Sequence, residues 1–406
     1  MIRKALVEIY YIWVREMRVV FRDHTVLLIF FLVPFLYPIL YSLIYNNEVV
    51  RDVNVVVVDN NRTALSREFI RKLDATPDIR IAGMSADMDE AQEAVRRKEA
   101  QGVLFIPGDF SQNVYNGRQG QVSVFADMSS ILYYKNILLS NMEVSLDMGA
   151  DIRVEMTGYK SEGEDEITKL PVDSEWVSMY NPQNGFASFL IPAVLILILQ
   201  QTLLLGISVI TGTHNDKKDF RVASHTVEGR RVSAFHLTIG KAFCYATIYA
   251  VTSFYVLVVI PTIFRLPQIG SQITIGVFIM PFLLAATLFA MTLSYFCSQR
   301  EFAMLMFVFT SVPFLFLSGV SWPWEAIPAP LQAIANMIPS TPGIRGFIRI
   351  STMGASLTDV WPEYILLWVQ AGIYSVTATA MYLWWIGYYD PRRKNSKFQI
   401  PNSRVS

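Results

Sequence analysis

Six stretches of this chain contain no Asp, Glu, Lys or Arg, and a charged insert separates the first from the other five: residues 25–47, 177–215, 242–264, 266–299, 302–324 and 364–389. Crossing the hydrocarbon layer of a bilayer takes about 20 apolar residues, and a core helix or strand of a water-soluble domain rarely runs so long without a charge. The pattern specifies a polytopic α-helical membrane protein with six transmembrane helices.

Charged residues make up 17% of the chain, against roughly 25% in an average soluble domain. The deficit is confined to the six stretches. The formal net charge is zero, so nothing in the total points to nucleic acid. Between Glu48 and Glu175, however, 23 acidic residues face 14 basic ones, the composition of a hydrated, folded, acidic insert. Cys244 and Cys297 are the only cysteines and both fall in charge-free stretches. The insert must therefore be held by an ordinary core without a disulfide. Charges recur up to Arg22, with no short apolar region ahead of a small-residue cleavage site, so the first stretch reads as a retained span.

Short loops rich in Lys and Arg stay on the cytosolic side. Arg3, Lys4, Arg15, Arg18 and Arg22 precede the first span; Lys217, Lys218, Arg221, Arg230 and Arg231 follow the second; Arg392, Arg393, Lys394, Lys397 and Arg404 follow the sixth. Opposing short connections carry only Arg265, or Arg345 and Arg349. Both ends are thus expected in the cytosol and the insert outside.

Ile2, Leu6, Ile9, Trp13, Met17 and Val20 fall on one stripe of a helix whose other side carries Lys4, Glu8, Arg15, Arg18 and Arg22, which suits a helix lying on the bilayer surface or one packed on the protein's own loops. Pro34 and Pro38 should kink the first span. In the insert, 53–58, 102–106 and 121–125 read as strands, and 66–73, 86–100 and 131–156 as helices, an α/β sheet domain. Between spans five and six, Leu331, Ile334, Ala335 and Ile338 keep helical spacing, Pro339 to Gly343 break it, and Ile344, Phe347 and Ile348 resume it. The expected organisation is an interfacial helix (1–24), a first span (25–46), an inserted α/β extracytoplasmic domain (47–180), spans two to six (181–389) with a cytosolic loop (214–235) and a shallow outer re-entrant hairpin (325–350), and a basic cytosolic tail (390–406).

No GxxxxGK[ST] phosphate loop is present: Gly240-Lys241 is followed by Ala242, so ATP hydrolysis by that route is excluded. No HExxH or paired-cysteine metal spacing occurs. Ionisable residues inside spans would mark an ion path, and the reading finds essentially none. An alternative that composition leaves open is a membrane-anchored sensor or assembly scaffold whose outer domain binds a ligand or adaptor.

Ser318-Gly319, Trp322-Pro323, Pro328, Leu331-Gln332, Pro339 and Thr341, together with the order of elements, resemble the ABC-2 type transporter permeases. Val57-Val58-Asp59, Ala64-Leu65-Ser66, Ile106-Pro107 and Asp109-Phe110 resemble the outer domain of the subgroup that works with periplasmic adaptor proteins. The resemblance implies the permease subunit of an exporter in the bacterial inner membrane, paired with a second permease, driven by a separate ABC ATPase subunit that uses the ATP, and assisted by an adaptor; this chain would bind no cofactor itself. It further implies a path lined by spans two and five, which places Gln200, Gln201, Thr202, Ser208, Ser311 and Ser318 near it, and an ATPase contact through Lys217, Lys218, Asp219, Phe220, Arg221, Glu228, Gly229, Arg230 and Arg231. Members often carry a Glu-rich, Gly-Thr-containing stretch at that loop, which this chain lacks; a basic anchor on the cytosolic side fits the same residues.

Overall fold

The computed structural model describes residues 2–158, 169, 177–182, 185–216, 226–227, 230–297 and 299–389. Two compact units divide the chain: Met1–Glu48 with Met179–Ser406, and Val49–Ser178.

Among the described residues of the first unit six helices are long and apolar enough to cross a membrane: His24–Ile44, Phe186–His214, Ala234–Ile263, Gln272–Ser294, Arg300–Leu317 and Trp361–Trp385, here spans one to six. Span two is the hub. It packs against spans one, four and five and against the helix Ser340–Ser351, and its most apolar stretch is buried throughout. Span five is covered along only a small part of its length. Close approach depends on missing side chains: a Cβ on Gly206 would overlap the Phe30 ring of span one, and a Cβ on Gly343 would lie 2.6 Å from Phe282 of span four. Phe30 in turn meets Tyr245 and Tyr249 of span three edge-on, at 5.9 and 5.2 Å between centroids. Glu48 tops span two. Its carboxylate accepts from the Ser188 amide at 3.1 Å and the Ser188 hydroxyl at 2.8 Å, a negative charge on a helix start.

Spans one and three each contain one π-helical turn, Leu28–Leu32 and Tyr255–Val259. Val33 donates to the Leu28 carbonyl and Ile260 to that of Tyr255. Each slip comes two residues before a proline, Pro34 or Pro261, where the regular ladder is about to lose a donor. The disturbance expected at Pro34 and Pro38 thus lies upstream of them, and span three carries a matching one that the sequence reading passed over. The helix that follows the first slip touches the second: the Phe35 and Tyr255 rings stack at 4.0 Å.

The N-terminal helix Ile2–Arg22 packs along span three. Its buried line runs through Ile12, Glu16 and Val20, turned somewhat from the stripe read in the sequence: Trp13, Met17 and Val20 of that stripe pack inward, and Leu6 remains exposed. The cause is polar. Glu16 accepts from the Tyr245 hydroxyl and sits 3.4 Å from Lys241 Nζ, while Gly240 lets the helix backbone close in on it. Glu8 pairs with His236 at 2.7 Å. Burial pushes the Glu16 carboxyl up, but the charge of Lys241, the Tyr245 hydroxyl and His214 more than offset this and hold it below the ordinary glutamate range.

The inserted unit holds a four-stranded sheet in the order β2-β1-β3-β4, with β1 Val53–Asp59, β2 Ile79–Met84, β3 Gly102–Ile106 and β4 Ser123–Ala126. β1 runs parallel to β2 and β3, and β4 antiparallel to β3. Val53, Val55 and Val57 enter one core with Phe69, Leu104 and Ile137, while Val56 and Val58 enter another with Ala91 and Val103; burial on both faces is why β1 is largely β-branched. β2 escaped the sequence reading because it is an exposed edge with one buried residue, Ile79, and so carries no apolar run. The long helix Ile131–Thr157 is tied to Ala64–Asp74 by Lys72, which bonds Asp147 and Asp151 at 2.7 Å each.

Candidate functional site

The polar residues of spans two and five bond within the chain. Gln200 donates to the Ser340 hydroxyl at 3.0 Å, and Thr310 donates to Gln201 Oε1 at 3.3 Å. Thr202 returns its hydroxyl to the Ile198 carbonyl at 2.7 Å, and Ser208 faces the Met306 sulfur. All four are buried. In this conformation they form interhelical and intrahelical bonds and line no open surface. Ser311, bonded to the Val308 carbonyl at 3.1 Å, lies partly exposed on span five. Gln200 Oε1 and Gln201 Nε2 are nevertheless left without a partner among the described residues, unusual for groups buried within hydrocarbon thickness. Sequence reading missed Thr310 and Ser340 because each pairs with a residue over a hundred positions away.

Of the expected ATPase-contact residues, Lys217, Lys218, Asp219, Phe220, Arg221, Glu228 and Gly229 lie outside the described residues, as does the tail from 390 onward. The backbone of Arg230–Arg231 pairs antiparallel with Thr226–Val227. A strand pair therefore stands in this part of the loop.

The motif between spans five and six is a folded turn. Span five ends at Leu317; the Ser318 hydroxyl donates to the Leu315 carbonyl at 2.6 Å, and Gly319 takes φ +86°, a left-handed conformation that favours glycine. Trp322 is exposed, Pro323 precedes a single 3-10 turn, and Pro328 precedes the helix Ala329–Ala335. Gln332 staples the two together, donating to the carbonyls of Trp324 and Ile327 at 3.0 and 2.9 Å. Pro339 caps the helix Ser340–Ser351. The break expected over Pro339 to Gly343 is shorter than read: Ser340, Thr341, Pro342 and Gly343 form the first helical turn, because Pro342 stands early enough to need no intrahelical donor. Far from a surface loop, that turn is buried against spans two and four. Span six holds the bend from outside, with Gln370 donating to the Asn336 carbonyl at 2.7 Å and Tyr374 to that of Met337.

Arg345 and Arg349 share one carboxylate. Glu363 Oε1 lies 3.5 Å from Arg345 Nη2 and 3.3 Å from Arg349 Nη1, and Arg345 also covers the Trp324 ring at 4.3 Å. Glu363 is buried in the first turn of span six, and Lys241 lies inside span three. The reading that spans hold essentially no ionisable group is corrected by both. Charge-free stretches mark where a span cannot be interrupted, whereas the helices run a further turn or two to include charges that find partners.

A family model described as ABC-2 family transporter protein matches residues 24–380. A search of curated proteins finds no match.

Proposed function

Taking as premise that the chain belongs to the ABC-2 family of transporter proteins, we propose that it is the permease of an ATP-driven exporter, working as a pair of permeases in a bacterial inner membrane. The family places it as the membrane component of an ABC transporter, which implies an ATPase partner. The pairing, the outward direction, the cytosolic termini, the extracytoplasmic insert and the adaptor are our reading.

The observation that carries it is the contrast between spans two and five. Span two is enclosed, whereas span five presents Met304, Val308, Phe309, Val312 and Phe316 on an uncovered face. Span five, with the smallest buried share of the six, is the element we take to meet a second permease, and Ser311 is a partly exposed polar residue on it. Opening of a path would then draw span two outward, replacing the bonds of Gln200 and Gln201 with new ones; their unmatched amide atoms lower the cost of that exchange. The loop 217–231 is the basic cytosolic segment through which ATPase closure would be transmitted.

Purified alone, the protein should not hydrolyse ATP, and co-expression with its cognate ATPase should yield a complex that does. ATP turnover by this chain by itself would refute the division of labour. Maleimide labelling of Met128→Cys, on the exposed surface of the insert, tests direction: labelling in intact cells supports an outer domain, and protection until lysis overturns it.

A further inference from the structure

A cavity of about 350 Å³ opens beside the turn that ends span five, lined by Ser318, Trp324, Glu325, Arg345, Arg349 and Glu363 among others. Its volume is within the roughly 300–1,000 Å³ of small-molecule sites. Arg345 and Arg349 stand one helical turn apart on Ser340–Ser351, so both point the same way. Their side chains are 33% and 40% exposed, that of Glu363 only 6%.

One carboxylate cannot saturate two guanidinium forks. Each fork has five N–H donors, and the contacts to Glu363 are 3.3–3.5 Å, longer than the roughly 2.7–2.9 Å of a tight charge-assisted bond. The triad of one buried carboxylate and two partly exposed arginines keeps a net positive charge and unsaturated donors. The Arg345 Cζ lies over the Trp324 ring at 4.3 Å, a cation–π contact that occupies one side of the guanidinium. Glu325, also in the lining and exposed, makes no ion pair among the described residues. It brings the formal charge of the lining to zero without pairing with either arginine, and so opposes an anion there. Ile344 and Ile348 complete the wall, so the site is charged at one end and aliphatic beside it.

The geometry points to a binding site for a phosphoryl oxyanion, held by the forks of Arg345 and Arg349, in the turn between spans five and six. This deepens the permease reading by naming what its most structured loop recognises. Binding to the isolated full chain tests the site, and ATP hydrolysis by the assembled complex tests the permease reading, so each can fail without the other.

Three probes distinguish the source of the anion when titrated onto the full-length protein in neutral detergent: dihexanoylphosphatidic acid, inorganic phosphate and the uncharged dihexanoylglycerol. Phosphatidic acid is expected to saturate, with at least about tenfold weaker binding for R345Q and for R349Q, partial recovery in R345K, and tighter binding in E325Q. Comparable binding of inorganic phosphate would identify a free oxyanion as sufficient; its absence would identify a lipid headgroup. Equal binding of dihexanoylglycerol, or phosphatidic acid binding indifferent to R345Q and E325Q, overturns the proposal. Should the glutamine variants unfold, E325Q decides alone, since Glu325 pairs with nothing whose loss could disturb the fold.

Discussion

Gly206 and Gly346 set how closely the first unit packs. A Cβ at Gly206 would overlap the Phe30 ring, and one at Gly346 would lie 2.6 Å from Phe278 Cε2 and nearer still to Cζ. Both rings are fully buried, with no room to retreat. Overpacking of this kind costs about 1–3 kcal/mol, so G206A and G346A should each lower the thermal midpoint in detergent, whereas G276A, whose Cβ meets nothing within 4 Å, should leave it unchanged. A glycine inside an apolar helix is visible in the sequence; which ring it admits is not. The same holds for Gln200 and Gln201. Their presence in span two could be read directly, but their partners Ser340 and Thr310 came only from the fold.

Among elements, the N-terminal helix shows how one buried charge redirects a face. Hydrophobic periodicity marks a stripe whose Trp13, Met17 and Val20 pack inward, but the docked line shifts to take in Ile12 and Glu16 and leaves Leu6 exposed, because Lys241 and Tyr245 make burial of Glu16 favourable. Removing one partner of a buried pair costs about 3–5 kcal/mol, and Lys241 retains some access to solvent, so E16Q belongs near the low end. Hydrogen exchange over Ile2–Arg22 should accelerate in this variant and remain unchanged by comparison in K4Q, whose lysine is exposed. The pH dependence follows from the lowered Glu16 carboxyl. A depressed folded-state value gives stability that is fully present above the ordinary value of 4.5 and is lost as pH falls through the lower folded value. Protection of the helix should therefore hold at neutral pH and fade below that range in wild type, and the extra protection should be absent at every pH in E16Q. In the inserted unit, the strands buried on both faces, β1 and β3, were legible as β-branched or apolar runs, and β2 was not, since an exposed edge makes no such demand on composition.

For the whole molecule, span five decides what can lie against the subunit. Phe309 is 74% exposed, and lipid chains solvate such a face as well as protein does, so pairing there must come from close packing. Phe309→Cys, with Cys244 and Cys297 replaced, should form an oxidative cross-link between two copies in native membranes. Val251→Cys on the exposed side of span three should not. Cross-linking at Val251 in place of Phe309 would move the interface to another face. The sequence alone determined the number of crossings, the place and class of the insert, and the family motif. Those demands are local: each crossing must supply its own apolar length and satisfy its own backbone. Tertiary structure decided that span two lies inside and span five outside, that Glu363 joins Arg345 to Arg349, and that Glu16 is buried. When neighbouring helices and surrounding lipid are equally apolar, hydrophobicity ranks no face above another, and the choice falls to shape and to polar pairs formed between residues distant in the chain.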